Sequence, residues 1–306
     1  MRPAHLTALG LFIAALLGGR AYSAPAVLAT IKPIHSLVAA VMQGVRTPEL
    51  LIQGAQSEHS YAFRPSDAEK VGRARIVFEI GPDLETYLVR PFATLAPKAE
   101  VVALEKAPGV HLLPARRGGL WENGRDPDDG PFDPHIWLDP ENAIAMTKVI
   151  AATVAKIDPA HGALYNANRD REIGSLTALE KDLQASLAAA RDRPYLVFHD
   201  AYHYFEQRFG LTPLGAVTVA PDRPVGPRRI EALRDALLQR HVACVFREPQ
   251  FSPRLIDALV EGTTAKTGVL DPLGAELTPG PDLYPKLLRG LAISLNSCLV
   301  AAAKKS

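Results

Sequence analysis

The chain has 306 residues, of which 47% are hydrophobic and 22% are charged, and its formal net charge is +1. This length exceeds one typical domain and suits two lobes, each able to bury its own core. A nearly neutral chain has no basic field that could hold nucleic acid, so no nucleic-acid partner is expected.

The N-terminus has the pattern of a secretory signal peptide. Arg2 precedes an apolar run over residues 8–17, and small residues follow up to Ser23. The run is too short to span a bilayer as a helix, so we expect cleavage after Ser23, or alternatively after Ala26. The junction contains no cysteine, so a lipid anchor is not expected. The mature protein is therefore expected in the periplasm, without stable membrane insertion.

Short β-branched or apolar runs alternate with helical patterns along the rest of the chain. The predicted strands are Val27–Ile31, Glu49–Ile52, Ile76–Ile80, Val101–Leu104, Tyr195–Phe198, Leu214–Val219, Ala243–Phe246 and Val269–Leu270. Such alternation is typical of parallel sheets covered by helices. The predicted fold class is α/β, with two lobes of parallel sheets flanked by helices.

A long segment without a strand signal separates the two halves. Its apolar residues recur at intervals of three and four residues, and Asp158-Pro159 supplies an N-cap followed by a first-turn proline. We predict one long rigid helix that joins the lobes, with a metal cleft between them. The predicted units are a signal peptide (1–23), an N-terminal α/β lobe (24–157), the linking helix (158–192) and a C-terminal α/β lobe (193–306).

Three histidines and an aspartate lie where the predicted strands end. His59 follows the second strand in a polar loop, His199 directly follows the fifth, and Asp271 ends the last. His135 lies where the chain regains an apolar pattern. Ligands of parallel α/β sheets bind beyond the carboxyl ends of strands, and a set of imidazoles suits Zn²⁺ better than Mn²⁺ or Mg²⁺. Spacing alone makes each histidine only a candidate.

The two cysteines lie in different elements. Cys244 falls in an apolar, strand-like run and Cys298 in the helical C-terminal stretch. Export places them in an oxidising compartment, which favours a disulfide between them. The alternative is a pair of buried free thiols.

Five strings of residues carry a resemblance to a known family. They are Glu58-His-Ser-Tyr-Ala-Phe-Arg-Pro-Ser-Asp67, Asp133-Pro-His-Ile-Trp-Leu-Asp-Pro140, Val197-Phe-His-Asp-Ala-Tyr-His-Tyr-Phe205, Arg247-Glu-Pro-Gln-Phe251 and Leu270-Asp-Pro-Leu-Gly274. Together they resemble the metal-binding solute receptors of bacterial ABC importers, specifically the zinc-uptake branch. The likeness spans nearly the whole mature chain. His199 stands where the manganese branch usually has glutamate.

The resemblance implies a ligand set and a transport role. It implies that His59, His135 and His199 bind Zn²⁺, and that the fourth position is held by Glu58, Asp271 or water. It also implies delivery of the ion to a membrane permease driven by an ATPase, and the same disulfide as above. We expect a monomer.

Two features depart from that family pattern. Zinc-uptake members often carry a histidine-rich loop just before the second ligand. The segment Pro114–Asp133 stands there in this chain and has no histidine. Its high content of Gly, Pro and Asp predicts a mobile surface loop. His203 lies four residues after His199, which would allow chelation from one helix face. We interpret His203 as a rim residue, and expect Asp200 to cap the next helix or orient an imidazole.

Two other functions use the same residues. A manganese receptor would share the architecture. A zinc hydrolase would need three histidines, an open coordination position and a nearby acid such as Glu58. No His-Glu-x-x-His string is present, and the candidate ligands are spread over both lobes, so we do not expect an enzyme.

Overall fold

The structure, a computed structural model, describes residues 24–121, 130–218, 221 and 224–303. The predicted signal peptide lies outside these residues. The strands are β1 (Val27–Ala29), β2 (Glu49–Leu50), β3 (Ile76–Glu79), β4 (Glu100–Ala103), β5 (Tyr195–His199), β6 (Pro213–Thr218), β7 (Cys244–Arg247) and β8 (Lys266–Val269). The α-helices are α1 (Lys32–Val41), α2 (Pro65–Arg73), α3 (Thr86–Leu95), α4 (Pro140–Ile157), α5 (Gly162–Ser186), α6 (His203–Phe209), α7 (Pro227–Gln239), α8 (Arg254–Val260) and α9 (Leu283–Ala303). Within the described ranges, no helix combines the length and the apolarity that crossing a membrane requires.

The strands form two parallel four-stranded sheets, in the orders β2-β1-β3-β4 and β6-β5-β7-β8. Every residue of β1, β3 and β5 is buried, which explains why these strands read as continuous apolar runs: parallel strands are covered on both faces. The predicted α/β fold class, with two helix-flanked parallel sheets, is confirmed.

In each sheet the strand order changes direction next to the strand that comes first in sequence. The chain passes from β1 to β2 on one side and to β3 on the other, and β5 lies likewise between β6 and β7. Such a switch point opens a crevice at the carboxyl ends of the strands, where ligands bind. The segments that carry His59 and His199 leave their sheets at these two crevices.

The connecting segment differs in detail from the single predicted helix. A 3-10 turn (Pro159–His161) precedes α5, and α5 itself has 25 residues, or about 37 Å at 1.5 Å per residue. The Asp158 side chain caps no backbone amide; instead it accepts hydrogen bonds from Tyr165 Oη at 2.8 Å and from the His161 ring at 2.7 Å. The lobe boundaries at 157/158 and 192/193 stay a prediction.

One large apolar core runs through both lobes. It joins Val77 of the first sheet and Val197 of the second through α4, α5 and α9, with Leu176 and Leu288 among its buried members. A smaller cluster covers the other face of the second sheet. The helices α1, α5 and α9 pack against one another within this core. That each lobe is able to bury a core of its own stays a prediction.

A disulfide ties the last helix to the second sheet. Cys244 of β7 is bonded to Cys298 of α9, across 54 residues of sequence. The predicted pairing is confirmed, and it fixes α9 where this helix packs against both lobes.

We predict that replacing both cysteines by serine lowers the free energy of unfolding by about 2–4 kcal/mol, because the unfolded chain regains the entropy of a 54-residue loop. Denaturant titration of the purified mature protein measures this change. Reduction of the wild type should reproduce the loss, whereas an unchanged unfolding midpoint would contradict the prediction.

Candidate metal centre

The three predicted histidines converge on one point. The Nε2 atoms of His59 and His135 lie 3.2 Å apart, and those of His135 and His199 lie 3.3 Å apart. A tetrahedral zinc with bonds of about 2.0–2.1 Å separates neighbouring ligand nitrogens by about 3.3–3.4 Å. The spacing of the imidazoles therefore suits a shared ion of that size.

Glu58 completes the group. Its Oε1 lies 3.9 Å from both His59 Nε2 and His135 Nε2, and one ligand atom from each of Glu58, His59, His135 and His199 falls within 4.8 Å of the others. Glu58 is 2% exposed, and its Oε1 has no hydrogen-bond partner among the described residues. A buried carboxylate oxygen left unpaired beside three imidazoles fits a cation.

The ligands come from both lobes. Glu58 and His59 lie in the loop between β2 and α2, whose end is fixed by a capping interaction in which Asp67 accepts from Tyr61 Oη at 2.6 Å and from the Arg64 amide at 2.8 Å. His135 begins a 3-10 turn in the first lobe, and His199 is the last residue of β5 in the second. Closing the site therefore requires both lobes.

Two buried carboxylates orient the imidazoles. His135 Nδ1 donates to Asp133 Oδ1 at 2.8 Å, and His199 Nδ1 donates to both oxygens of Glu248 at 2.8 Å. A donating Nδ1–H leaves the lone pair of a neutral imidazole on Nε2, which here points at the common centre. Two bare lone pairs about 3.3 Å apart repel one another, so this contact requires either a proton on one of the two Nε2 atoms or a metal ion between them.

Burial and charge shift the protonation of the site in opposite ways. Burial lowers the pKa of His199, but the Glu248 carboxylate outweighs it and raises that pKa to about 9. Burial raises the pKa of Glu58 above its ordinary value, although the neighbouring imidazoles of His135 and His199 oppose this. Without metal, His199 therefore carries a proton at neutral pH that an ion must displace.

The sequence did not identify Glu248 as a supporting residue. It lies in one of the quoted strings and directly follows β7, so the same strand-end rule that selected His199 also points to Glu248. Asp200, expected to cap a helix or orient an imidazole, instead pairs with Arg116. Glu248 performs the orienting role because its strand lies beside β5.

Asp271 and His203 lie outside the four converging side chains. The Asp271 carboxylate accepts hydrogen bonds from the side chain of Gln250 and from the amides of residues 273–275, at 2.6–3.1 Å. His203 begins α6, whereas His199 ends β5, so the two do not share a helix face as predicted. The His203 Nδ1 instead lies 3.6 Å from Asp133 Oδ2, behind His135.

The flank 114–121 of the predicted mobile surface loop packs against the second lobe, whereas the mobility of the loop stays a prediction. Arg116 pairs with Asp200 and, at 2.8 Å, with Glu206, and its guanidinium lies 3.6 Å from the ring centroid of Trp121. The Leu120 carbonyl accepts from the amide of Ala216 in β6 at 3.2 Å. Residues 122–129 lie outside the described part of the chain.

Comparison with known proteins places this chain in a family. The family model described as zinc-uptake complex component A, periplasmic (ZnuA), matches residues 27–298. The chain belongs to the ZnuA family.

Curated and solved ZnuA proteins resemble it over most of their length. The chain is 43% identical over 304 residues to the high-affinity zinc uptake system protein ZnuA of Brucella abortus, covering 89% of this chain and 91% of that protein. For the Yersinia pestis protein of the same name, identity is 34% over 290 residues, covering 90% and 91%. A crystal structure of ZnuA aligns with a TM-score of 0.78 at 21% identity, covering 90% of this chain and 99% of that one, and shows the same fold.

We predict that Glu248→Gln lowers the pKa of His199 from about 9 towards 6.5, since burial then acts without the carboxylate that opposes it most. NMR titration of the imidazole in metal-free protein measures the shift. The matched control is Glu276→Gln, which makes the same change at an exposed site. A His199 pKa that stays near 9 in the Glu248 variant would contradict the assigned cause.

Proposed function

We propose that this protein is a periplasmic receptor that captures Zn²⁺ between its lobes and delivers it to an ABC importer. The observation that carries the proposal is the convergence of three imidazoles, with His135 Nε2 at 3.2 Å from His59 Nε2 and 3.3 Å from His199 Nε2, beside the unpaired carboxylate oxygen of Glu58. We infer His59, His135, His199 and Glu58 as the ligands. The ZnuA family and its relatives, named as zinc-uptake proteins, support the same role.

The donor set favours zinc over manganese. Three nitrogens and one oxygen suit a borderline ion, whereas Mn²⁺ prefers sets richer in oxygen. The carboxylates of Glu58, Asp133 and Glu248 surround the imidazoles, and a divalent cation offsets their charge better than the single proton of His199 does.

Burial supports capture of the ion more than catalysis. His135, His199 and Glu58 are each 2% exposed, and the side chain of His59 is 21% exposed at the edge of the cluster. Four protein donors occupy all four coordination positions of a tetrahedral zinc ion, whereas a zinc hydrolase keeps one position open for the water that attacks its substrate. Release of the ion is then the task of an importer permease and its ATPase, to which we expect the receptor to dock as a monomer.

We predict that His59→Ala, His135→Ala and His199→Ala each weaken zinc binding more than about 100-fold, because loss of even an orienting partner costs about 10- to 100-fold. Competition titration against a chelator measures the affinity, and repeating it with Mn²⁺ tests the choice of ion. His111→Ala, at an exposed histidine outside the cluster, is the control. Tighter binding of Mn²⁺ than of Zn²⁺, or full affinity in two of the variants, would refute the proposal.

We predict that zinc binding at pH 7 releases at least one proton, because the pKa of His199 is about 9 and coordination requires a neutral imidazole. Affinity should therefore decrease as the pH is lowered. Calorimetry in buffers of different ionisation enthalpy counts the protons. Glu248→Gln should release fewer at the same pH, and a binding enthalpy independent of the buffer in the wild type would contradict the prediction.

A further inference from the structure

A buried lysine of the first lobe bonds to the second. Lys32 is the first residue of α1, which two residues separate from the end of β1, and it is 5% exposed. Its Nζ donates to the carbonyl oxygens of Gly274 at 3.0 Å, Ala275 at 2.5 Å and Leu277 at 3.2 Å. An ammonium has three donors, and all three are used here, so the buried charge is fully hydrogen-bonded.

The loop that receives Lys32 is held from its other side by Asp271. The carboxylate of Asp271 accepts from the amides of Leu273, Gly274 and Ala275. Gly274, at φ +71°, permits the turn that presents amides to Asp271 and carbonyls to Lys32. One short loop thus lies between a cation of the first lobe and an anion of the second.

The same loop contacts the supports of the metal centre. The Pro272 carbonyl accepts from Trp137 Nε1 at 2.8 Å, and the ring of Trp137 packs 5.2 Å from that of His135. Asp271 also accepts from Gln250 Nε2 at 2.9 Å. Gln250 is two residues from Glu248, which holds His199. The loop is therefore connected to the surroundings of a ligand in each lobe.

We propose that Lys32 is a positioning residue for the metal centre, which with Asp271 latches the two lobes together and sets how fast the ion leaves. The inference rests on the proposed function. His59 and His135 belong to the first lobe and His199 to the second, so release requires the lobes to separate. Separation at this edge withdraws the ammonium from three carbonyls at once, which leaves buried polar groups unpaired and slows opening.

Lys32→Met tests the latch, because it removes the ammonium and keeps most of the aliphatic stem. Stopped-flow mixing of the zinc-loaded mature protein with excess chelator measures the dissociation rate of the ion. We expect that rate to rise about 5- to 150-fold, the usual range of coupling between distant groups, while the association rate changes less. The absorption spectrum of the Co²⁺-loaded variant should also change, since the ligands are then held less firmly in their coordination geometry.

Lys70→Met is the matched control. Lys70 Nζ donates to the Leu50 carbonyl at 2.9 Å within the first lobe, so this change removes a lysine–carbonyl bond without touching the contact between lobes. The control should keep the wild-type dissociation rate and cobalt spectrum. If Lys32→Met lowers only the melting temperature and matches Lys70→Met in both readouts, the latch is refuted.

A more conservative variant allows the test even if Lys32→Met does not fold. Lys32→Gln retains two N–H donors, and it should raise the dissociation rate in the same direction but by less than Lys32→Met does. An unchanged rate in folded Lys32→Gln and Lys32→Met would overturn the latch and leave the receptor function intact. Absence of zinc binding in the wild type would instead refute the proposed function itself.

Discussion

The structure depends on one electrostatic arrangement: buried carboxylates aim imidazole lone pairs at a single point. Asp133 and Glu248 each accept the Nδ1–H of a histidine, so the Nε2 atoms of His135 and His199 face each other across 3.3 Å. That contact requires a proton or a metal ion between the two nitrogens, because two bare lone pairs repel one another. The surrounding fold must therefore supply enough packing free energy to hold the ligands together.

The architecture supplies that rigidity through strand ends and a shared core. His199 is the last residue of β5, and Glu248 follows the neighbouring β7, so a parallel pairing fixes the distance between ring and carboxylate. On the other side, the cap of α2 fixes the loop of His59. Because the apolar core continues from one sheet to the other, packed helices hold the two sets of ligands in place relative to each other.

The sequence predicted those parts of the molecule that depend on local pattern. Strands β1, β3 and β5 follow from apolar runs buried on both faces, and the selection of His59 and His199 follows from the position of ligands beyond the ends of parallel strands. The disulfide followed from the exported compartment. Each of these needs only neighbouring residues or the number of cysteines.

The parts that the sequence missed depend on which side chains meet across the fold. Asp271 and Glu248 both follow strands. The neighbouring residues do not reveal that the Asp271 carboxylate accepts hydrogen bonds from backbone amides, while that of Glu248 accepts one from an imidazole. The separation of His203 from His199 arises because the strand continues through His199 before the helix begins. Local propensity cannot show this, since helix boundaries are set by tertiary contacts.

The continuous core also limits how such a receptor can change over time. Residues on α1, α5 and α9 belong at once to the interior of both lobes, so neither lobe is a self-contained module that could be exchanged for its counterpart in a relative. A volume change on one lobe's inner face must be matched on the other, because neighbouring core substitutions are not additive. The two halves of the binding site are therefore constrained to diverge together.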